Sequence, residues 1–133
     1  MKRNITAGLI LAACVTLSGL AQDWYHDRDA RYQGDQWRPQ VFYHVRTDLE
    51  HIWSARGASA KENERLDRTK EELTKMQGDL DQGRYDNGIL NDVIDSLKKS
   101  SDDQRLSPQD RAVLSDDLVR LHDYQLNRNQ WKR

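Results

Sequence analysis

The stretch 59-SAKENERLDRTKEELTKMQGDL-80 decides how the rest of the chain is read. Leu66, Thr69, Leu73, Met76 and Leu80 recur in it at alternating steps of three and four, which lines them up on one seam of a long helix. Ser59 stands as its N-cap, and Glu62 is spaced to close a capping box on the Ser59 N–H. Gly57 and Gly83 punctuate its two sides. Lys70 and Gln77 flank the seam, so it is narrow, like a coiled-coil edge, and needs apolar faces from elsewhere to cover it. On the solvated side, Glu64 with Arg68 and Glu71 with Lys75 have the favourable i,i+4 order.

Those covering faces lie on both sides of the stretch. After Pro39, which suits a first helical turn, Val41, Phe42, Val45, Leu49, Ile52 and Trp53 form one wide apolar face expected to end near Arg56, before Gly57. Asp86 predicts the N-cap of a third helix bearing Leu90, Val93, Ile94 and Leu97, with Lys98 and Lys99 at its negative end. Ser107-Pro108-Gln109-Asp110 reads as the start of a fourth, whose face carries Leu114, Leu118 and Leu121, then Tyr124 or Gln125. The chain is expected to fray from Asn127, with 129–133 a loose tail. No strand-like alternation follows the first 21 residues, so the fold class is all-α. Four amphipathic helices with short links predict a small four-helix antiparallel bundle over residues 39–128.

The first 21 residues have a different character. Met1-Lys2-Arg3, an uncharged run from Ile5 to Ala21 and then Gln22-Asp23-Trp24 have the three-part layout of an export signal, which predicts a secreted or periplasmic protein. Gly19-Leu20-Ala21 supplies the small residues for cleavage after Ala21. Leu11-Ala12-Ala13-Cys14 resembles a lipoprotein lipobox, with Cys14 as the lipidation site, and retention of the run as an anchor is the third course. Membrane association is expected only in those last two cases.

Loss of Lys2 and Arg3 with the leader takes the 21 basic and 22 acidic residues to 19 against 22. That mildly acidic balance lacks the broad basic face that nucleic-acid binding needs, so no nucleic-acid partner is expected. Cys14 is the only cysteine and would leave with the leader, so no disulfide is available. Of the 112 residues after Ala21, 35 belong to the apolar set, a share well under the ~45–50% of ordinary domains. A core this thin predicts a single small domain that gains from a protein partner or from self-association.

Between leader and bundle, residues 22–38 form an arm in which Trp24, Tyr25, Tyr32 and Trp37 alternate with His26, Asp27, Arg28, Asp29 and Arg31 without a clean period. The arm is read as irregular or partly helical. Its rings serve either to stack on sugar or peptide or to anchor the arm to the helical body.

His44, Asp48 and His51 stand at i, i+4 and i+7, an imidazole–carboxylate–imidazole strip that suits zinc or copper if another helix or water completes the set; the alternative is the polar flank of an amphipathic helix. Asp79, Asp81 and Gly83 lack the spacing of a calcium loop, because Arg84 and Leu90 occupy its sixth and twelfth positions. Neighbouring carboxylates at Glu71-Glu72, Asp102-Asp103 and Asp116-Asp117 diverge by about 100° on a helix and make no acid/base dyad. No nucleophile elbow, zinc-protease or phosphate-loop motif occurs. No enzyme activity and no cofactor are expected.

Leu73-Thr74-Lys75-Met76-Gln77 matches the L-T-x-x-Q signature, and Leu106-Ser107-Pro108-Gln109-Asp110 is a degenerate second copy. On Leu73, Thr74 and Gln77 the chain resembles the small helical periplasmic stress proteins that include Spy-like chaperones and CpxP-like regulators. The resemblance implies an all-helical dimer that holds unfolding clients or senses envelope stress. In that family the motif commonly lies near a helix start, whereas Leu73 lies within the central helix here. The residues themselves support a non-catalytic binding or scaffold protein, with the stress-protein and metal-binding readings as alternatives.

Overall fold

The computed structural model describes residues 23–54 and 60–131, and among these every regular element is a helix. The chain divides into two compact units, residues 1–37 and 38–133. Export signal, cleavage site, Cys14, Arg56, Gly57 and Ser59 lie outside the described residues.

In the first unit the stretch read as irregular or partly helical is helical over 23–31 (α1). Its end is a turn in which Tyr32 and Gln33 donate their N–H groups to Asp29 and Ala30, followed by Gly34 at a positive φ of 68°. Trp37 donates its indole N–H to the Gly34 carbonyl at 2.8 Å and meets Tyr32 edge-on, while the Arg28 guanidinium lies over the Tyr32 ring. Tyr32 and Trp37 thus pack around a turn, not along a helix face, while Trp24 and Tyr25 meet edge-on within α1.

The second unit begins with a single 3-10 turn, Arg38–Gln40, that holds Pro39 and leads into α2 (Val41–Ser54). There follow α3 (Ala60–Asp81), α4 (Asn87–Ser101) and α5 (Pro108–Trp131). Helix α2 packs on α3, α3 on α4, α4 on α5, and α5 returns to α2. Tyr43 bonds to Gln77 and Arg46 to Thr74, so three residues forward on α2 is three back on α3. Likewise Gln125, late in α5, donates to Asn87 and Asn91 at the start of α4.

The predicted stops and starts have local causes. Gly83, with φ 70°, donates to the Leu80 carbonyl while Arg84 N–H reaches back to Asp79 at 2.7 Å, a Schellman closure of α3. Asp86 accepts the Ile89 N–H at 3.0 Å and Ser107 accepts the Asp110 N–H at 3.1 Å, so both caps read from the sequence are in place. The core contains Val41, Phe42, Val45, Leu49 and Ile52 of α2, Leu73 and Met76 of α3, Leu90, Val93 and Leu97 of α4, and Leu114, Leu121 and Tyr124 of α5.

Several details depart from the sequence reading. Leu80 is only half-buried and Asp79 takes the inner position, because the loop after α3 folds over it and the Arg84 guanidinium meets its carboxylate at 3.1 Å. On α5, Leu118 is half-buried and Asp117 is fully buried. At 100° per residue, Val113, Leu114, Leu121 and Tyr124 define a face whose middle passes close to position 117, with 118 about 90° to one side. Helix α5 also continues to Trp131 where fraying was expected, although Asn127 leaves helical geometry at φ −121°, ψ 23°. Among the described residues, the ion pairs formed within α3 are Arg68–Glu72 and Asp67–Lys70. The Glu62 carboxylate holds Arg105, and the capping box expected with Ser59 lies outside the described residues.

Candidate functional site

The three motif residues share α3 but face different surroundings. Leu73 is wholly buried, as is Met76 one turn on. Thr74 is exposed; its hydroxyl accepts from Arg46 at 2.6 Å and donates to the Lys70 carbonyl. Gln77 uses both ends of its amide on the entry to α2. Its Oε1 accepts the Tyr43 N–H at 3.2 Å, and its Nε2 donates to the Pro39 carbonyl at 2.8 Å and to Asp81 at 2.9 Å. Tyr43 lies in the first turn of α2, where N–H groups lack helical partners, so Gln77 acts as a cap supplied from the neighbouring helix. The signature thus marks a helix-to-helix fastening.

The second candidate is the strip on α2. Asp48 is fully buried, while His44 and His51 are half-buried. Helical spacing alone does not make these side chains converge. Among the described residues, no three His, Cys, Asp or Glu side chains form a group that could hold a metal ion.

One end of the unit is closed by a link that the sequence did not suggest. Arg105, in the loop between α4 and α5, pairs with Glu62 of α3 and with Asp103 at 2.9 Å. Hydrogen bonds to Asp103 and then Glu62 push the guanidinium pKa further upward, so Arg105 stays charged at any ordinary pH. Beneath it, Leu49, Trp53, Leu66 and Leu97 enclose a cavity of about 30 Å³, room for water but not for an organic ligand. Only the position of Glu62 in the first turn of its helix hinted at its role, and Arg105 lies 43 residues away.

No family model, curated protein or solved structure matches the chain.

A third feature is the outer face of α5. Val119 is 66% exposed and Leu126 is 82% exposed, seven residues apart on one side of the helix. Ala112, Ser115 and His122 are exposed and lie on the same strip. The strip is on the side of α5 opposite the buried Leu114, Asp117 and Leu121, so the helix presents apolar residues on two opposite faces.

Proposed function

We propose that the protein is an exported, non-catalytic helical scaffold, an antiparallel four-helix bundle, that associates through the outer face of α5, with a second copy of the chain as the occupant. The observation that supports this reading is the two-faced α5. A helix with one apolar face is served by its own core, and a second apolar strip at heptad spacing calls for another helix. Export rests on the charged, apolar and small-residue layout of residues 1–21, and association also follows from the low apolar content of the remainder. The resemblance to stress proteins makes an unfolding client the alternative occupant.

Sedimentation equilibrium across the micromolar range tests the proposal. The unaltered chain should gain mass with concentration, and Val119→Lys with Leu126→Lys should hold it monomeric without loss of helical signal. A chain that stays monomeric throughout would overturn self-association. Suppression of client aggregation that the same double variant abolishes would select the chaperone reading instead.

A further inference from the structure

A groove of about 360 Å³ runs between α3 and α4 on another part of the surface. Its floor is marked by the Thr69 and Ser96 hydroxyls, which share a hydrogen bond of 2.8 Å across the two helices. From that point each helix carries a cation on one side and an anion on the other. On α3 the order is Arg65, Arg68, Thr69, Glu72; on α4, read backwards, it is Lys99, Ser96, Asp95, Asp92, and all eight line the groove. The helices are antiparallel, since Thr69 meets Ser96 and Glu72 feels the charge of Asp92 nearer the connecting loop. Like charges therefore share each end, with Arg65 and Lys99 at one and Glu72 and Asp92 at the other.

This is the reverse of what a pair of helices arranges for its own stability, where opposite charges face each other. Among the described residues no ion pair crosses the groove. Glu72 has Arg68 of its own helix at 3.9 Å on Oε1, and its Oε2 is buried without a hydrogen-bond partner. Burial and Asp92 both raise its carboxyl pKa, against the opposing pull of Arg68. Two like-charged ends, of which the negative one is met only by Arg68 of the same helix, define the shape of a ligand: positive at one terminus and negative at the other.

Distance selects its length. Seven residues separate Arg65 from Glu72, about 10 Å along a helix at 1.5 Å per residue. An extended peptide advances ~3.3–3.6 Å per residue, so three residues span this length while two fall short and four overshoot. We infer that the α3–α4 groove binds a tripeptide with both termini free, its ammonium group between Glu72 and Asp92 and its carboxylate between Arg65 and Lys99. The Thr69–Ser96 hydroxyl pair faces the middle of the peptide backbone. This site is separate from the outer face of α5, and neither reading depends on the other.

Calorimetry of the full chain with trialanine tests the inference. Saturable one-to-one binding is expected, with a dissociation constant of ~1 mM or tighter, as suits a few partly exposed charge contacts. N-acetyl-trialanine and trialanine amide should each bind about tenfold more weakly, since each removes one of the two terminal charges. Arg65→Gln and Glu72→Gln should do the same with unchanged circular dichroism. Absence of saturable heat with trialanine would overturn the inference, and so would equal affinity for the blocked peptides, a comparison that requires no protein variant.

Discussion

Replacing Gln77 by Ala separates a fastening from a ligand-binding motif. The substitution removes two bonds between elements, Tyr43 N–H to Oε1 and Nε2 to the Pro39 carbonyl, together with the bond to Asp81 on the same helix. An intramolecular hydrogen bond contributes ~0.5–1.5 kcal/mol net, and losing a side-chain cap costs ~0.5–2 kcal/mol. The Tyr43 contact is exposed and the Pro39 contact part-buried, so water recovers part of the loss and about 1–2 kcal/mol remains. Alanine is the better helix former by a few tenths of a kcal/mol, so propensity works against the predicted loss and cannot mimic it. Urea denaturation should show a lower midpoint at unchanged slope, with melting reduced by roughly 4–8 °C per kcal/mol. Thr74→Ala is the control: Arg46 retains Glu50 at 3.1 Å, and the change should stay within about 0.5 kcal/mol. A Gln77→Ala loss below about 0.5 kcal/mol would refute the fastening and return the motif to the surface as a binding element.

Leu73→Ala should cost ~2–5 kcal/mol by chemical denaturation, because the side chain is wholly buried and its removal leaves a cavity. Gly83→Ala should cost about 1–2 kcal/mol, read by the same method, since the added Cβ meets nothing within 4 Å and the penalty comes only from the φ of 70°. Glu72 binds its proton more tightly in the folded protein than in the unfolded chain, chiefly through burial and then through Asp92. Its destabilising contribution is therefore absent below the ordinary value of 4.5 and grows as pH rises through the folded pKa. Glu72→Gln should melt higher than the unaltered chain near pH ~7 and lose that advantage towards pH ~4; an advantage independent of pH would contradict this.

Much of the fold was legible because helix ends are written in short-range chemistry. Asp86 and Ser107 each bond an N–H three residues on, and Gly83 takes a conformation other residues avoid, so single positions suffice to place them. The apolar stripes of α2 and α4 were equally plain, since every residue assigned to the α4 face is buried. What escaped were the long-range pairings. Nothing near Gln77 in sequence indicates Pro39, 38 residues away, and nothing near Glu62 indicates Arg105. The candidate metal strip illustrates a related limit: spacing places three side chains along one helix, but a site also requires their atoms to meet at one point.

The buried acids show where reading by residue type gives way to reading by angle. Leu118 was assigned to the apolar face and Asp117 was not, yet the helical wheel fixed by Leu114, Leu121 and Tyr124 runs through 117. Asp48 likewise lies inside α2, and neither acid is without a partner. Each such carboxylate displaces apolar volume from a core that is already thin, and a buried charge, even when compensated, rarely stabilises as much as the hydrocarbon it replaces. Meanwhile Val119 and Leu126 hold apolar surface on the outside of the same helix. The allocation along α5, an acid within and aliphatic side chains without, is poor for an isolated domain. It becomes favourable once the outer strip is covered, because burying Val119 and Leu126 recovers ~1.5–3 kcal/mol for each side chain that is fully enclosed. Stability that rises with protein concentration is therefore the thermodynamic counterpart of the two-faced helix.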